Sequence, residues 1–201
     1  MIRVLLAEDQ GMMRSALVLL LGMEADIEVV AQVGNGLEVL PAVLSAKPDV
    51  AVLDIEMPGQ SGLEVAETLR DQAPGCKVMV VTTFDRPGYL RRALDAGVRG
   101  FLVKDGSVED LARAIRRVLA GEQVVDPHRA MAALSVGPNP LTPRECDVLV
   151  ASADGAAVAD IAARLFLSHS TVRNYLSSAI GKTNTRNRME AVNMARRNGW
   201  L

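Results

Sequence analysis

The chain has 201 residues, 49% of them hydrophobic and 23% charged, with a formal net charge of −2. That composition is ordinary for a globular chain, and the length is long for one small domain and comfortable for two. The longest aliphatic run, Ala16 to Leu21, falls far short of the ~20 residues a membrane span needs. No basic leader with a cleavable apolar segment opens the chain, so a cytoplasmic location is expected. Cys76 and Cys146 lack metal or redox spacing and are expected as free thiols.

In chain order, Ile2 to Ala7 reads as a strand ending in the acidic pair Glu8-Asp9. The following stretch is helical, with a core stripe expected at Met13, Ala16, Leu17 and Leu20. Met12, Leu19 and Met23 form a second apolar set, which implies that this helix joins a dimer interface. Val50 to Leu53 reads as a buried parallel strand, followed at once by Asp54-Ile55-Glu56-Met57-Pro58-Gly59. Lys77 to Val81 is a further strand ending in Thr82-Thr83, and Arg99 to Val103 is another ending in Lys104-Asp105. Strand and helix alternate five times, which predicts an α/β fold, a (βα)5 doubly wound parallel sheet with right-handed crossovers.

Three carboxylates, a hydroxyl and an ammonium then share one sheet edge, where open α/β sheets bind ligands. Glu8, Asp9 and Asp54 crowded together repel by about 4 kcal/mol per pair at ~4 Å and an effective dielectric of ~20. A hard divalent cation removes that conflict, and Mg²⁺ commonly bridges one or two carboxylates to a phosphate. Asp54 can then act as a carboxylate nucleophile towards a phosphoryl group, with Lys104 and Thr82 meeting the transferred oxygens. Taken singly, the acidic pair is an ordinary solvated loop, Thr82 a strand-end hydroxyl, Lys104 a surface charge and Phe101 a core aromatic. The phosphoryl reading rests on their joint placement.

Ser107 to Ala120 is helical by pattern, with Ser107 as N-cap, Val108, Leu111, Ile115 and Val118 inward and Arg113, Arg116 and Arg117 on the polar side. That arginine face is either solvated or paired with a second subunit. Gly121 to Pro140 holds Asp126-Pro127, Gly137-Pro138 and Asn139-Pro140 and reads as linker or loop. The division expected is 1–121, a linker at 122–140 and a second domain at 141–201. Residues 1–125 carry 13 Lys/Arg against 18 Asp/Glu, and residues 126–201 carry 9 against 6. The second part alone is basic, which suits a polyanion partner.

Leu141-Thr142-Pro143-Arg144-Glu145 opens an all-α unit with Thr142 as N-cap and Glu145 closing a capping box. A helix over Val158 to Leu165, the turn Phe166-Leu167-Ser168 and a helix over His169 to Lys182 make a helix-turn-helix. Val172, Leu176 and Ile180 face its core, while Arg173, Asn174, Ser177 and Ser178 project elsewhere. Arg reads guanine, Asn reads adenine and Ser bonds bases or phosphates; Thr171 and Lys182 suit phosphate. The plain alternative is a wet helix face with no ligand.

Glu8, Asp9, Asp54, Thr82, Phe101 and Lys104, with the loop Asp54 to Gly59, resemble the receiver domain of two-component response regulators over roughly residues 1 to 121. The resemblance implies Asp54 as phosphoacceptor, Mg²⁺ held by Glu8, Asp9, Asp54 and the Glu56 carbonyl, and Thr82, Phe101 and Lys104 as switch and catalytic positions. Leu141 to Glu145, Ile161-Ala162, Leu167 to Tyr175 and Arg188 to Ala191 resemble the LuxR-type DNA-binding domain of four helices. That implies a dimerising last helix near Arg188 to Arg197, with Val192 and Met194 as contacts. Thr183 and Thr185 depart from the family's apolar positions, so looser packing is expected there. The whole chain resembles a NarL/FixJ-type response regulator, which implies a sensor histidine kinase, promoter DNA and a phosphorylation-driven homodimer as partners. Within the family it resembles regulators of membrane-lipid desaturase genes. It implies no enzyme beyond Mg²⁺-assisted self-phosphorylation and slow autodephosphorylation. Two alternatives stay open: a phosphorelay intermediary whose second domain does not bind DNA, and a constitutive DNA-binding protein with a vestigial pocket.

Overall fold

The computed structural model describes residues 1–83, 87–135, 137 and 139–201. They form two compact units, essentially residues 1–131 and 132–201. In the first, β1 (Ile2–Ala7), β2 (Ile27–Val33), β3 (Val50–Leu53), β4 (Lys77–Thr82) and β5 (Gly100–Val103) pair in the order β2-β1-β3-β4-β5. Every pairing is parallel. Helices α1 (Gly11–Leu21), α2 (Gly36–Ala46), α3 (Gly62–Gln72), α4 (Pro87–Asp95) and α5 (Val108–Leu119) alternate with the strands. All four residues of β3 are buried, as a sheet covered on both faces requires of its central strand. One core layer joins Val4, Leu6, Val52 and Met79 to Leu21 of α1 and to Leu111, Ile115 and Val118 of α5. Strand order reverses between β1 and β3, so their carboxyl ends border the switch point of the sheet.

α1 departs from the expected pattern. Leu17, Val18 and Leu21 meet the core, whereas Ala16 is exposed and Met13 and Leu20 are 39% and 40% exposed. Only Leu17 of the expected stripe faces in. Apolar residues surround Gly11–Leu21 on nearly every side, so hydrophobic periodicity does not select a face there. Met12, Leu19 and Met23 are exposed at 90%, 69% and 75%.

α5 starts on Ser107, whose side chain accepts from Asp110 N–H in a capping box, and buries Leu111, Ala112, Ala114, Ile115 and Val118. Its arginines pair within their own chain: Arg113 with Asp110, Arg116 with both Glu24 and Asp26, and Arg117 with Glu122. The expected linker carries structure. Val124 forms a parallel bridge with Gly100, and α6 runs over Pro127–Ser135. Asp126 Oδ1 accepts from His128 N–H at 2.9 Å, so Asp126-Pro127 starts a helix instead of breaking one. Pro138, another expected breaker, lies outside the described residues.

The second unit packs α7 (Pro143–Ala151), α8 (Val158–Leu165), α9 (His169–Lys182) and α10 (Arg188–Arg197). Val148, Leu149, Ile161, Val172, Leu176 and Val192 lie at the centre of its core. Thr183 is buried, and its hydroxyl donates to Ala179 O at 2.8 Å and pairs with Thr185 Oγ1 at 2.9 Å. The two threonines thus satisfy each other and the end of α9, in place of the looser packing expected.

Candidate functional site

Backbone bonds carry the strand register one residue past the strands. Asp54 N–H donates to Ala7 O, and Lys104 N–H donates to Thr82 O, both at 2.9 Å. Glu8 and Asp54 are thereby set side by side on neighbouring strands, while Thr82 pairs with Val103 and Lys104 follows one residue beyond it. Glu8 is 1% exposed and Asp54 6%, yet both are bonded. Lys104 Nζ donates to Glu8 Oε2 at 2.6 Å and to Asp54 Oδ2 at 2.8 Å. Asp54 Oδ1 accepts from Ile55 N–H at 2.7 Å, and Glu8 Oε1 from Gln10 N–H at 3.3 Å. Burial pulls the Lys104 ammonium down, but its bonds to Asp54 and Glu8 and their charges outweigh that and hold it above its ordinary value.

Carboxylate oxygens of Glu8, Asp9 and Asp54 lie within 4.8 Å of one another, with Asp9 the exposed member. Three carboxylates against one ammonium leave a formal −2. An all-oxygen donor set with that deficit fits a hard divalent cation such as Mg²⁺. Glu56 lies in the exposed turn after β3. Gly62 opens α3 against this loop: its N–H donates to Ile55 O, and a Cβ on it would lie 2.0 Å from the Asp54 carbonyl oxygen. Thr82 ends β4 and is fully buried, and Phe101 in β5 is 4% exposed. The Phe101 ring, expected as a core aromatic or a switch position, is thus packed inside the fold. Strand-end reading did not single out Arg14, which reaches back from α1 to bond the carbonyls of Glu8 and Asp9. The signal for it was the missing N-cap residue at Gln10.

In the second unit α9 starts on Ser168, whose hydroxyl accepts from Thr171 N–H at 3.1 Å and pairs with the Ser170 and Thr171 hydroxyls at 2.8 and 2.7 Å. Val172, Leu176 and Ala179 are buried, while Arg173, Asn174, Ser177 and Ser178 are exposed along the opposite side. Arg173, Asn174 and Ser177 have no side-chain partner among the described residues. Lys182, expected at a phosphate, instead donates to Glu145 Oε2 at 2.8 Å, and Ser178 donates to Glu145 Oε1 at 2.6 Å. Glu145 also accepts from Thr142 N–H at 2.6 Å as the capping box of α7. Burial works against its charge, but the bonds from Lys182, Ser178 and Thr142 prevail and hold the carboxyl down at about 2. In α10, Val192 is fully buried in the unit's own core, so of the two expected dimer contacts only Met194 is on the surface.

Among the described residues, no helix is long and apolar enough to cross a membrane. Residues 4–116 match the response regulator receiver domain, and residues 139–195 match the bacterial regulatory proteins of the luxR family. The chain is 47% identical to YvfU of Bacillus subtilis, an uncharacterized transcriptional regulatory protein, with all of both chains covered. It is 46% identical to the transcriptional regulatory protein DesR of the same organism, again over all of both chains. RcsB of Salmonella enterica serovar Typhimurium, solved bound to promoter P1flhDC with the phosphomimetic BeF3⁻, shares the fold with a TM-score of 0.69. That match is at 24% identity and covers 96% of this chain and 97% of the other. Receiver domains generally bind Mg²⁺ in an acidic pocket, and response regulators of this kind pair with histidine kinases and bind DNA. The chain belongs to the NarL/FixJ-type response regulators, transcriptional regulators that join a receiver domain to a LuxR-type DNA-binding domain.

Proposed function

We propose that Asp54 accepts a phosphoryl group from a partner kinase's phosphohistidine, or from a small acyl phosphate, and that this gates DNA binding by α9. The observation that carries the reading is the buried triad of Glu8, Asp54 and Lys104, with Asp9 at its open side. Asp54 Oδ forms the new bond to phosphorus as the donor's N–P or O–P bond breaks. Lys104, already bonded to both carboxylates, moves one bond to a phosphoryl oxygen, and the Thr82 hydroxyl takes another. Glu8, Asp9, Asp54 and the Glu56 carbonyl would hold Mg²⁺, which supplies charge neutralisation for the transferred group. The protein is thus a substrate of its own pocket, with slow hydrolysis as the only turnover.

Phosphorylation brings Asp54 close to a charge of −2 beside the ends of β4 and β5. Thr82 and Phe101 are the residues there that pass the change to the surface. Shifting a 1:99 mixture to 99:1 takes about 5.5 kcal/mol of differential binding, so dimerisation shares the task. The exposed Met12 and Leu19 of α1, with Met23 just past its end, support that helix as part of the dimer interface. Two copies of α9 would then present Thr171, Arg173, Asn174 and Ser177 to half-sites about one DNA turn apart, with Lys182 at the margin. A cytoplasmic location and a desaturase promoter are further expectations, and the second is checked by sequencing genomic fragments that the acyl-phosphate-treated protein captures.

Incubation with acyl phosphate and Mg²⁺, followed by intact-mass measurement, tests the first step. Wild type gains one phosphoryl group and Asp54→Ala gains none; a gain by Asp54→Ala would move the acceptor elsewhere. Leu19→Asp is expected to abolish phosphorylation-driven dimerisation in sedimentation, and an unchanged dimer would exclude α1 from the interface.

A further inference from the structure

The turn that carries Glu8 and Asp9 is built unlike its neighbours. α2, α3 and α5 start on side-chain caps, from Asn35, Ser61 and Ser107. α1 starts on Gln10, which makes no side-chain cap bond, and its first turn holds no acidic residue. What ties this turn down comes from inside the helix. Arg14 Nη1 donates to Glu8 O at 2.5 Å and to Asp9 O at 3.5 Å. The guanidinium lies over Gly34, the residue after β2, where a Cβ would stand 2.8 Å from Nη1. Gly34 has no positive φ, so room for Arg14, not backbone freedom, is what a glycine provides there.

From this arrangement we infer that Arg14, seated on Gly34, is a positioning residue of the acidic pocket: it fixes the peptides of Glu8 and Asp9 so that their carboxylates converge with Asp54 on a divalent cation. The inference rests on the cation-binding reading above. Asp9 is the member most in need of such support, because it is exposed while Glu8 and Asp54 are packed and bonded. A ligand's outer partners commonly govern metal affinity in this way. The sign of the effect separates positioning from charge. Deleting a cation beside an acidic site tightens Mg²⁺ binding by Coulomb's law, whereas loosening the ligand turn weakens it.

Calorimetric titration of the full chain with Mg²⁺, for wild type, Arg14→Ala, Gly34→Ala and the double variant, tests this. Arg14→Ala is expected to bind about tenfold more weakly. Gly34→Ala keeps the guanidinium but displaces it, and is expected to weaken binding as well. The double variant is expected to be no weaker than Arg14→Ala, because both changes break one arrangement. Thermal midpoints without Mg²⁺ establish that each variant is folded, and if Arg14→Ala is not, Gly34→Ala decides alone. Equal or tighter binding by the folded variants, beside a wild type that binds, overturns the role of Arg14 and leaves the pocket reading standing. A wild type that takes up no Mg²⁺ overturns both.

Discussion

The sheet-edge pocket and the outer side of α9 treat polar groups in opposite ways. In the pocket, Glu8, Asp54 and Lys104 are buried and bonded to one another. Along α9, Arg173, Asn174 and Ser177 are exposed and have no side-chain partner among the described residues. A buried polar group left unpaired costs about 1–3 kcal/mol, so the fold must supply its partner before any ligand arrives. An exposed one is bonded to water and can exchange that water for a phosphate or a base edge. The pocket is therefore recognised by following internal bonds, and the face proposed to read DNA by finding where they stop. Glu145 marks the border between the two regimes. It lies in the DNA-binding unit but is wired like the pocket, and it withdraws Ser178 and Lys182 from the free set.

The largest expected effect lies in the pocket: Asp54→Ala removes phosphoryl uptake outright, as intact mass would show. Next comes the free face of α9. Arg173→Ala and Asn174→Ala are each expected to cost about 1–3 kcal/mol of specific DNA affinity, in titrations at fixed salt. Lys182→Ala should cost less than either and leave the salt slope of binding nearly unchanged. If Lys182→Ala instead proves the most damaging of the three, its bond to Glu145 is given up on DNA and the contrast between the two regimes fails at that position.

Glu145 also gives the contrast a pH signature. Its carboxyl is held at about 2, below the ordinary 4.5, so the native state favours its ionised form. That contribution is fully present above the ordinary value and is lost as pH falls from there through about 2. The unfolding midpoint of the DNA-binding unit should drop over that window. In Glu145→Gln, the part of the drop that belongs to this carboxyl should be absent. An identical pH profile in the variant would show that Glu145 carries none of it.

Much of the pocket was legible because its chemistry sits at strand exits. A short apolar run followed at once by Asp54, Glu8-Asp9, Thr82 or Lys104 fixes both the strand and the edge it points to. What was not legible depends on contacts remote in sequence or on runs without contrast. Lys182 meets a carboxylate 37 residues away, which no local pattern encodes. The inward face of α1 could not be chosen from a segment that is apolar nearly all round, and the core took Val18 and Leu21 over Met13 and Leu20. Asp126-Pro127 fits a helix start as well as a break, and the cap that Asp126 places on His128 N–H resolves it towards α6. Val192 was legible as apolar but not as inward, since a dimer contact and a core position place the same demand on a side chain.

The most direct test of Asp54-gated control is capture of genomic DNA by acyl-phosphate-treated protein, wild type beside Asp54→Ala, in matched salt and Mg²⁺. Wild type alone should enrich a discrete set of promoter fragments. Equal enrichment of the same fragments by Asp54→Ala would mean that the pocket does not gate α9, and would contradict the coupling of the two sites.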